Sequence, residues 1–178
     1  MSSSASSPES EVLAIIQACN MHLASPKAGE LERAFTPPAK PSHSDEPTLD
    51  QLEAVYATAR GLCDQGNYRF ASALALHLAT HKPGEPRFSF LAGVCMQQLN
   101  APSTAVRFFC FALMNGGDHP AALFRLGECL LALGDAASAD RAFDAALDVA
   151  RDVEGAEDLQ YAAQRLMDTI KSGPHPSL

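Results

Sequence analysis

The chain consists largely of segments in which apolar residues recur three and four positions apart, the spacing of an amphipathic helix. Helix starts are indicated at Ser7-Pro8-Glu9 and at Thr48, which is followed three residues later by its capping-box partner Gln51. Gly66-Asn67, Asn100-Ala101-Pro102 and Gly134-Asp135 supply turn residues between apolar segments. The pattern therefore predicts an all-α protein with helix pairs over 50–64 with 68–81, 86–98 with 102–114, and 120–133 with 136–150, followed by a helix over 156–171.

The apolar pattern repeats after about 34 residues, the length of a tetratricopeptide repeat. In this helix–turn–helix unit, a Leu-Gly pair in the first helix is followed by Ala-x3-Phe in the second. The third copy contains Leu126-Gly127, then Ala139 and Phe143. The first copy matches the template at fewer positions, but these positions keep the same spacing. The residues matched by the shift include Pro86 and Pro120, Phe90 and Phe124, Gly93 and Gly127, Cys95 and Cys129, Ala105 and Ala139, and Phe109 and Phe143. We therefore predict three repeats with a C-terminal capping helix.

Small residues are expected where the two helices of a repeat approach each other, because larger side chains would push the helices apart. Gly93 and Gly127 hold this place in the first helices, and Ala71, Ala105 and Ala139 hold it in the second helices. The repeats should therefore pack through these five positions.

The ends of the chain differ from the repeats. Residues 1–9 are predicted to be disordered, 10–23 to form an N-terminal helix, 24–47 to be a proline-rich linker, and 172–178 to be a disordered tail, around a repeat domain over 48–171. The N-terminal helix is too short to be stable alone. Its apolar face is therefore expected to pack on a second subunit, as a dimerisation surface, or on the convex side of the same chain; the residues of this face include Val12, Leu13 and Ile16.

Composition restricts the choice of partners. The net charge of -8 and the pI of about 5.1 argue against nucleic acid or an anionic membrane surface as the main partner. The first residues lack the charged start and apolar run of a signal peptide, and no apolar stretch is long enough to span a membrane. The five cysteines form no CxxC pair. We therefore expect reduced thiols and a cytoplasmic location.

The sequence contains no arrangement typical of an enzyme. It has no phosphate-binding loop, no nucleophile elbow and no clustered pair of carboxylates. His77 and His81 are four residues apart, a spacing that could bind a metal, but no third ligand is evident. We therefore predict a protein that binds other proteins, with no catalytic residues, metal or cofactor.

The first helices of such repeats line a concave face that binds partners. An aromatic residue recurs at the fifth position of the three copies, counted in phase, which predicts a row of flat apolar sites suited to an extended apolar peptide. A second interpretation remains open, in which these aromatics only fill gaps between repeats. The candidate residues at the fifth, ninth and twelfth positions are Tyr56, Phe90 and Phe124; Arg60, Val94 and Glu128; and Cys63, Gln97 and Leu131.

Residues 50–171 resemble the class II chaperones of bacterial type III secretion. The resemblance lies in Gln65-Gly66-Asn67-Tyr68, in Glu85-Pro86-Arg87-Phe88, and above all in Glu128-Cys129-Leu130-Leu131. It implies a bacterial cytoplasmic chaperone that holds an extended segment of a hydrophobic translocator protein in its groove, and often dimerises through its N-terminal helix. In such proteins, a larger aromatic residue tends to occupy the position of Cys63, so this part of the groove is expected to differ.

Two other functions remain compatible with the sequence. One is a chaperone for a needle or filament subunit of the same export machine, whose helical client would need a wider groove. The other is a general scaffold that joins two cytoplasmic proteins. Clamping of a C-terminal carboxylate is disfavoured, because Tyr56 and Phe90 stand where such domains need lysine and asparagine.

Overall fold

The computed structural model describes residues 47–116 and 119–173, and none of these residues lies in a β-strand. The predicted N-terminal helix with Val12, Leu13 and Ile16, the segment 1–9, most of the linker and residues 174–178 lie outside the described residues. The described part contains α1 (Leu49–Asp64), α2 (Tyr68–His81), α3 (Pro86–Gln98), α4 (Pro102–Gly116), α5 (Pro120–Ala132), α6 (Ala136–Ala150) and α7 (Glu157–Ser172). The predicted all-α fold with three helix pairs and a closing helix is confirmed.

The helix boundaries follow from local chemistry. At the start of α1, the Gln51 N–H donates to Thr48 Oγ1 and the Thr48 N–H donates to Gln51 Oε1, at 3.3 and 2.8 Å, which completes the capping box. Proline occupies the first turn of α3 and α5, where its missing N–H costs no hydrogen bond. These ends fix where each helix can begin.

The turn inside each repeat has one conformation. Gly66, Asn100 and Gly134 all have positive φ angles, of 73°, 57° and 84°. The N–H of the following residue donates to a carbonyl in the last turn of the preceding helix in every case, at 2.8 to 3.0 Å. Asn100 is thus a non-glycine residue in a left-handed position that glycine takes in the other two repeats.

Glycine and phenylalanine are matched in size across the second and third repeats. A β-carbon on Gly93 would lie 2.6 Å from Cε1 of Phe109, and one on Gly127 would lie 2.6 Å from Cε1 of Phe143. In the first repeat the equivalent positions are Ala59 and Ala75, both fully buried. The prediction that small residues allow close helix packing is therefore confirmed, with Ala71, Ala105 and Ala139 also fully buried.

The closing helix α7 covers the end of the core. Ala163 and Met167 are buried in the cluster formed by the second and third repeats, with Leu159, Leu166 and Ile170 packed against it. Tyr161, on another side of α7, is 68% exposed. One face of α7 is thus apolar and buried, as expected of a helix that caps a solenoid.

Candidate functional site

The first helices of the three repeats are α1, α3 and α5. Because α1 contacts α3 and α3 contacts α5, the three helices form a continuous surface. We call this surface the groove wall. Its predicted members are brought together at repeat intervals: Tyr56, Phe90 and Phe124 are half-buried, as are Cys63, Val94, Gln97 and Glu128, whereas Arg60 is exposed.

Each groove-wall aromatic rests on a buried phenylalanine. The Phe90 ring lies 5.7 Å from that of Phe109, and the Phe124 ring lies 5.6 Å from that of Phe143. Gly93 explains the first contact, because the absence of a side chain lets Phe109 reach past α3 toward Phe90. Phe90 and Phe124 therefore pack on one side and are partly exposed on the other.

Tyr56 is supported differently. Its ring lies 5.5 Å from that of Phe88, which belongs to the next repeat. The Arg87 guanidinium stands over both rings, 5.3 Å from the Tyr56 centroid and 5.8 Å from the Phe88 centroid. The position of Tyr56 thus depends on α3 as well as on its own helix.

Arg87 is held by two carboxylates. It donates to Glu53 and to Glu85, at 2.8 and 2.9 Å. The hydrogen bond with Glu85, followed by the one with Glu53, raises the pKa of Arg87, and the hydrogen bond from Arg87 lowers the pKa of Glu85. These pairs are exposed, so they contribute little to stability. Their effect is to neutralise Arg87 and to fix it over Tyr56.

An apolar cavity of about 220 Å³ opens beside the first two aromatics. Tyr56 and Phe90 belong to its lining, whereas Phe124 does not. The other lining residues are Pro86, Arg87, Ala112, Gly116, His119 and Ala122. Sequence reasoning missed the contribution of α4 and of the start of α5, because the predicted groove included only first helices and because Gly116 and His119 do not recur at the repeat interval.

At the other end of the wall, a polar cluster joins α3 to α5. Gln97 Nε2 donates to Glu128 Oε2 at 2.9 Å, and Arg125 Nη1 donates to the same oxygen at 3.0 Å. Gln97 and Glu128 are both among the candidate groove residues, and the structure connects them. Val94 packs against the main core cluster instead.

Two thiols meet within the groove wall. Cys63 Sγ of α1 lies 3.5 Å from Cys95 Sγ of α3, and both thiols are free. Cys95 is buried, and its burial, followed by the hydrogen bond with Cys63, raises its pKa to about 12. Burial likewise raises the pKa of Cys129 to about 12. Cys63 thus belongs to the groove wall and also packs against the core cluster that contains Cys95.

His77 and His81 are exposed on α2, with ring centroids 4.1 Å apart. Partial burial, followed by the charge of His81, lowers the pKa of His77. Within residues 47–116 and 119–173, no group of three or more His, Cys, Asp or Glu side chains could hold a metal ion. In the same ranges, no helix is both long and apolar enough to cross a membrane.

Three of the solved structures that resemble this one illustrate its fold. SycD, a type III secretion chaperone of Yersinia enterocolitica in complex with a peptide of the translocator YopD, is 23% identical with a TM-score of 0.69, over 72% of this chain and 98% of that chain. PcrH of Pseudomonas aeruginosa, in complex with the chaperone-binding region of PopD, is 22% identical with a TM-score of 0.69, over 72% and 97%. The TPR2B domain of yeast Sti1, in complex with pHsp70, is 15% identical with a TM-score of 0.63, over 68% and 96%.

Neither protein-family models nor curated proteins give a match to the sequence. At these identities the likeness concerns the fold. The chain shares the fold of the translocator chaperone SycD and of PcrH, in agreement with the resemblance of its sequence.

Proposed function

We propose that this protein is a bacterial cytoplasmic chaperone, not an enzyme, that binds an extended segment of a hydrophobic type III secretion translocator along the groove wall and keeps it soluble and export-competent. The proposal is carried by the row of half-buried aromatics Tyr56, Phe90 and Phe124 at repeat intervals. The complexes of SycD and PcrH with translocator segments support it, because these proteins share the fold.

The surface chemistry suits an extended apolar segment. Each aromatic ring offers a flat apolar face, and the 220 Å³ cavity between Tyr56 and Phe90 can take one branched aliphatic side chain. The rings are held by Phe88, Phe109 and Phe143, so little side-chain freedom remains to be lost when a client binds. The net charge of -8 favours solubility of the complex.

The carboxylate-binding alternative is less favoured, although the Sti1 domain shares the fold. That mode needs cations available to the peptide terminus, and Arg87 is already paired with Glu53 and Glu85. Arg125 is likewise paired with Glu128. The groove wall therefore favours apolar side chains over a terminal carboxylate.

A homodimer is part of the proposal. The apolar side chains of Val12, Leu13 and Ile16 repeat on one helical face of the sequence, and such a face needs a partner surface. A second subunit would supply that surface.

Co-expression tests the function. Each hydrophobic translocator encoded in the same genome is produced alone and together with the chaperone, and its soluble fraction is measured. Rescue of an insoluble translocator supports a chaperone. A client that is soluble alone supports the scaffold alternative, and rescue limited to a needle or filament subunit supports the second chaperone class.

A variant pair locates the binding surface. Truncating two interface aromatics with Phe90→Ala and Phe124→Ala should weaken the complex by roughly a thousandfold if the effects add. Phe111→Ala is the matched control, because Phe111 is 48% exposed and lies on the second helix α4. Retention of the client by the double variant would place binding elsewhere.

A further inference from the structure

The groove wall contains a pair of thiols that the proposed function does not use. Cys63 and Cys95 belong to different repeats and are 32 positions apart, yet their sulfur atoms are separated by 3.5 Å. A disulfide requires a sulfur–sulfur distance of about 2.05 Å. The two side chains thus need to approach by only about 1.5 Å, because they already point at each other across the α1–α3 contact.

The neighbouring repeat provides a comparison inside the same chain. The residues 34 positions after Cys63 and Cys95 are Gln97 and Cys129. Gln97 donates its hydrogen bond to Glu128, and Cys129 is buried without a second cysteine at the equivalent place. The thiol pair is therefore a property of the first two repeats, and Cys129 is an internal control for a buried cysteine of the same type.

The two thiols differ in their access to solvent. Cys63 is half-buried, so its thiol is partly exposed to solvent, whereas Cys95 is fully buried. An oxidant in solution therefore meets Cys63 first. Cys95 is then the only described cysteine whose sulfur lies within 3.5 Å to resolve the product.

We propose that Cys63 and Cys95 form a reversible disulfide across the groove wall when the protein meets a hydroperoxide, and that this bridge reduces client binding. The Cys63 sulfur attacks one peroxide oxygen, which gives a sulfenic acid and, with the thiol proton, one water. The Cys95 sulfur then attacks the Cys63 sulfur and displaces hydroxide, which takes the Cys95 proton and leaves as a second water. Two thiols and one hydrogen peroxide thus yield one disulfide and two waters, and a dithiol reverses the bridge.

The effect on binding follows from where the bridge lies. Cys63 is in the last turn of α1 and Cys95 in the last turns of α3, so closing the bridge draws these two helices together at one end of the wall. Interfaces are packed as closely as protein interiors, and a shift of about 1 Å disturbs such packing. Oxidised protein should therefore bind a client roughly fivefold more weakly or worse. This consequence rests on the proposed function, whereas formation of the bridge does not.

The bridge is tested first on the free full-length chain. The reduced protein is treated with hydrogen peroxide, and its mass should fall by about 2 Da. Non-reducing tryptic mapping identifies the pair, because Arg69 and Arg87 separate the peptides of Cys63 and Cys95. The melting temperature should rise by roughly 5–10 °C, since the bridge restricts the unfolded chain. Dithiothreitol should reverse both changes.

Variants make the assignment specific. Cys63→Ser should abolish the mass change and the rise in melting temperature, and Cys63→Ala provides a second variant should the serine disturb the core. Cys129→Ser should leave both effects in place. A bridge between other cysteines, a bridge between two chains, or oxidation of Cys63 without a bridge would overturn the assignment.

The regulatory step is tested by capture of the co-expressed translocator with reduced and with oxidised chaperone. Weaker capture by the oxidised form, restored by dithiothreitol and absent in Cys95→Ala, which alters a fully buried residue outside the candidate groove set, supports the proposal. Equal capture by both forms overturns the regulation. Failure of the reduced form to capture any translocator counts against the proposed function, while the mass and mapping results still decide whether the bridge exists.

Discussion

Replacing Gly93 with alanine tests whether glycine and phenylalanine are matched across a repeat. The new β-carbon would lie 2.6 Å from Cε1 of Phe109, whereas carbon atoms in contact prefer about 3.5–4.0 Å. The fully buried Phe109 ring would have to move by about 1 Å in a closely packed core. Such overpacking costs about 1–3 kcal/mol, and the better helix propensity of alanine returns up to about 1 kcal/mol. We expect a net loss of about 1 kcal/mol.

Gly93→Ala should have the opposite effect on the free energy of unfolding when the Phe109 ring is absent. Phe109→Ala alone should cost about 3–5 kcal/mol, because it removes a fully buried aromatic. In that background the β-carbon at position 93 meets no ring, so Gly93→Ala should stabilise the protein by about 1 kcal/mol. The first repeat already carries this combination as Ala59 and Ala75. The coupling energy between the two positions should therefore be about 2 kcal/mol.

The four proteins of this cycle are compared by urea denaturation followed by circular dichroism. Gly61→Ala is the matched control, since Gly61 lies within α1 and a β-carbon there would have no neighbour within 4 Å. It should be neutral or stabilising by up to about 1 kcal/mol. An equal effect of Gly93→Ala in both backgrounds would refute the proposed contact with Phe109.

Three further predictions concern the turn, the helix packing and the chain end. Asn100→Gly should stabilise the protein by a few tenths of a kcal/mol to about 1 kcal/mol, because Asn100 has a φ of 57°, and thermal melting checks this; a lower melting temperature would contradict it. Ala139→Leu should cost about 1–3 kcal/mol at a fully buried position, and an unchanged melting temperature would count against the assigned repeat phase. Deleting residues 1–24 should keep the helical circular dichroism spectrum but shift the mass measured by light scattering toward monomer; a full-length protein that is already monomeric would refute the dimer.

The fold could be predicted because the same pattern of apolar and turn residues occurs in all three repeats. Gly66, Asn100 and Gly134 mark one turn at one interval, and the seven helices α1 to α7 begin and end within two residues of their predicted bounds. The first repeat matches the template poorly, yet it keeps the phase. Ala59 and Ala75 stand where glycine and phenylalanine stand in the other two repeats, so the first repeat lacks the ring and needs no glycine opposite it.

The candidate site could be predicted only in part. The groove-wall positions follow from the repeat, but the cavity beside Tyr56 also needs Gly116 and His119, which come from outside the repeat pattern. The thiol pair was missed for a similar reason, since Cys63 and Cys95 form no sequence motif and meet only because α1 packs beside α3. Contacts between the first helices of neighbouring repeats are tertiary contacts, and no local sequence pattern predicts them.

The stability cost of the binding variants follows from the packing of the aromatics. Phe90 and Phe124 cover Phe109 and Phe143, so each truncation to alanine should cost about 2 kcal/mol of folding free energy, about half the value for a fully buried ring. Binding must therefore be measured well below the lowered melting temperature, with circular dichroism to check that the helices remain. Loss of the client under those conditions reports on the groove wall, whereas loss together with the helical signal reports on the core.

The three aromatic sites are not equivalent, and the difference determines which arrangement of the repeats a client binds. Phe90 and Phe124 are each supported by the second helix of their own repeat, and Phe90 also lies 5.5 Å from the His119 ring at the start of the next repeat. Tyr56 rests on Phe88 and lies under Arg87, both on α3, so its site exists only when the first two repeats are docked. A client that occupies the Tyr56 site therefore binds the docked arrangement selectively and must stabilise the contact between α1 and α3. Any change that alters that contact alters binding at Tyr56 first, before it affects Phe124.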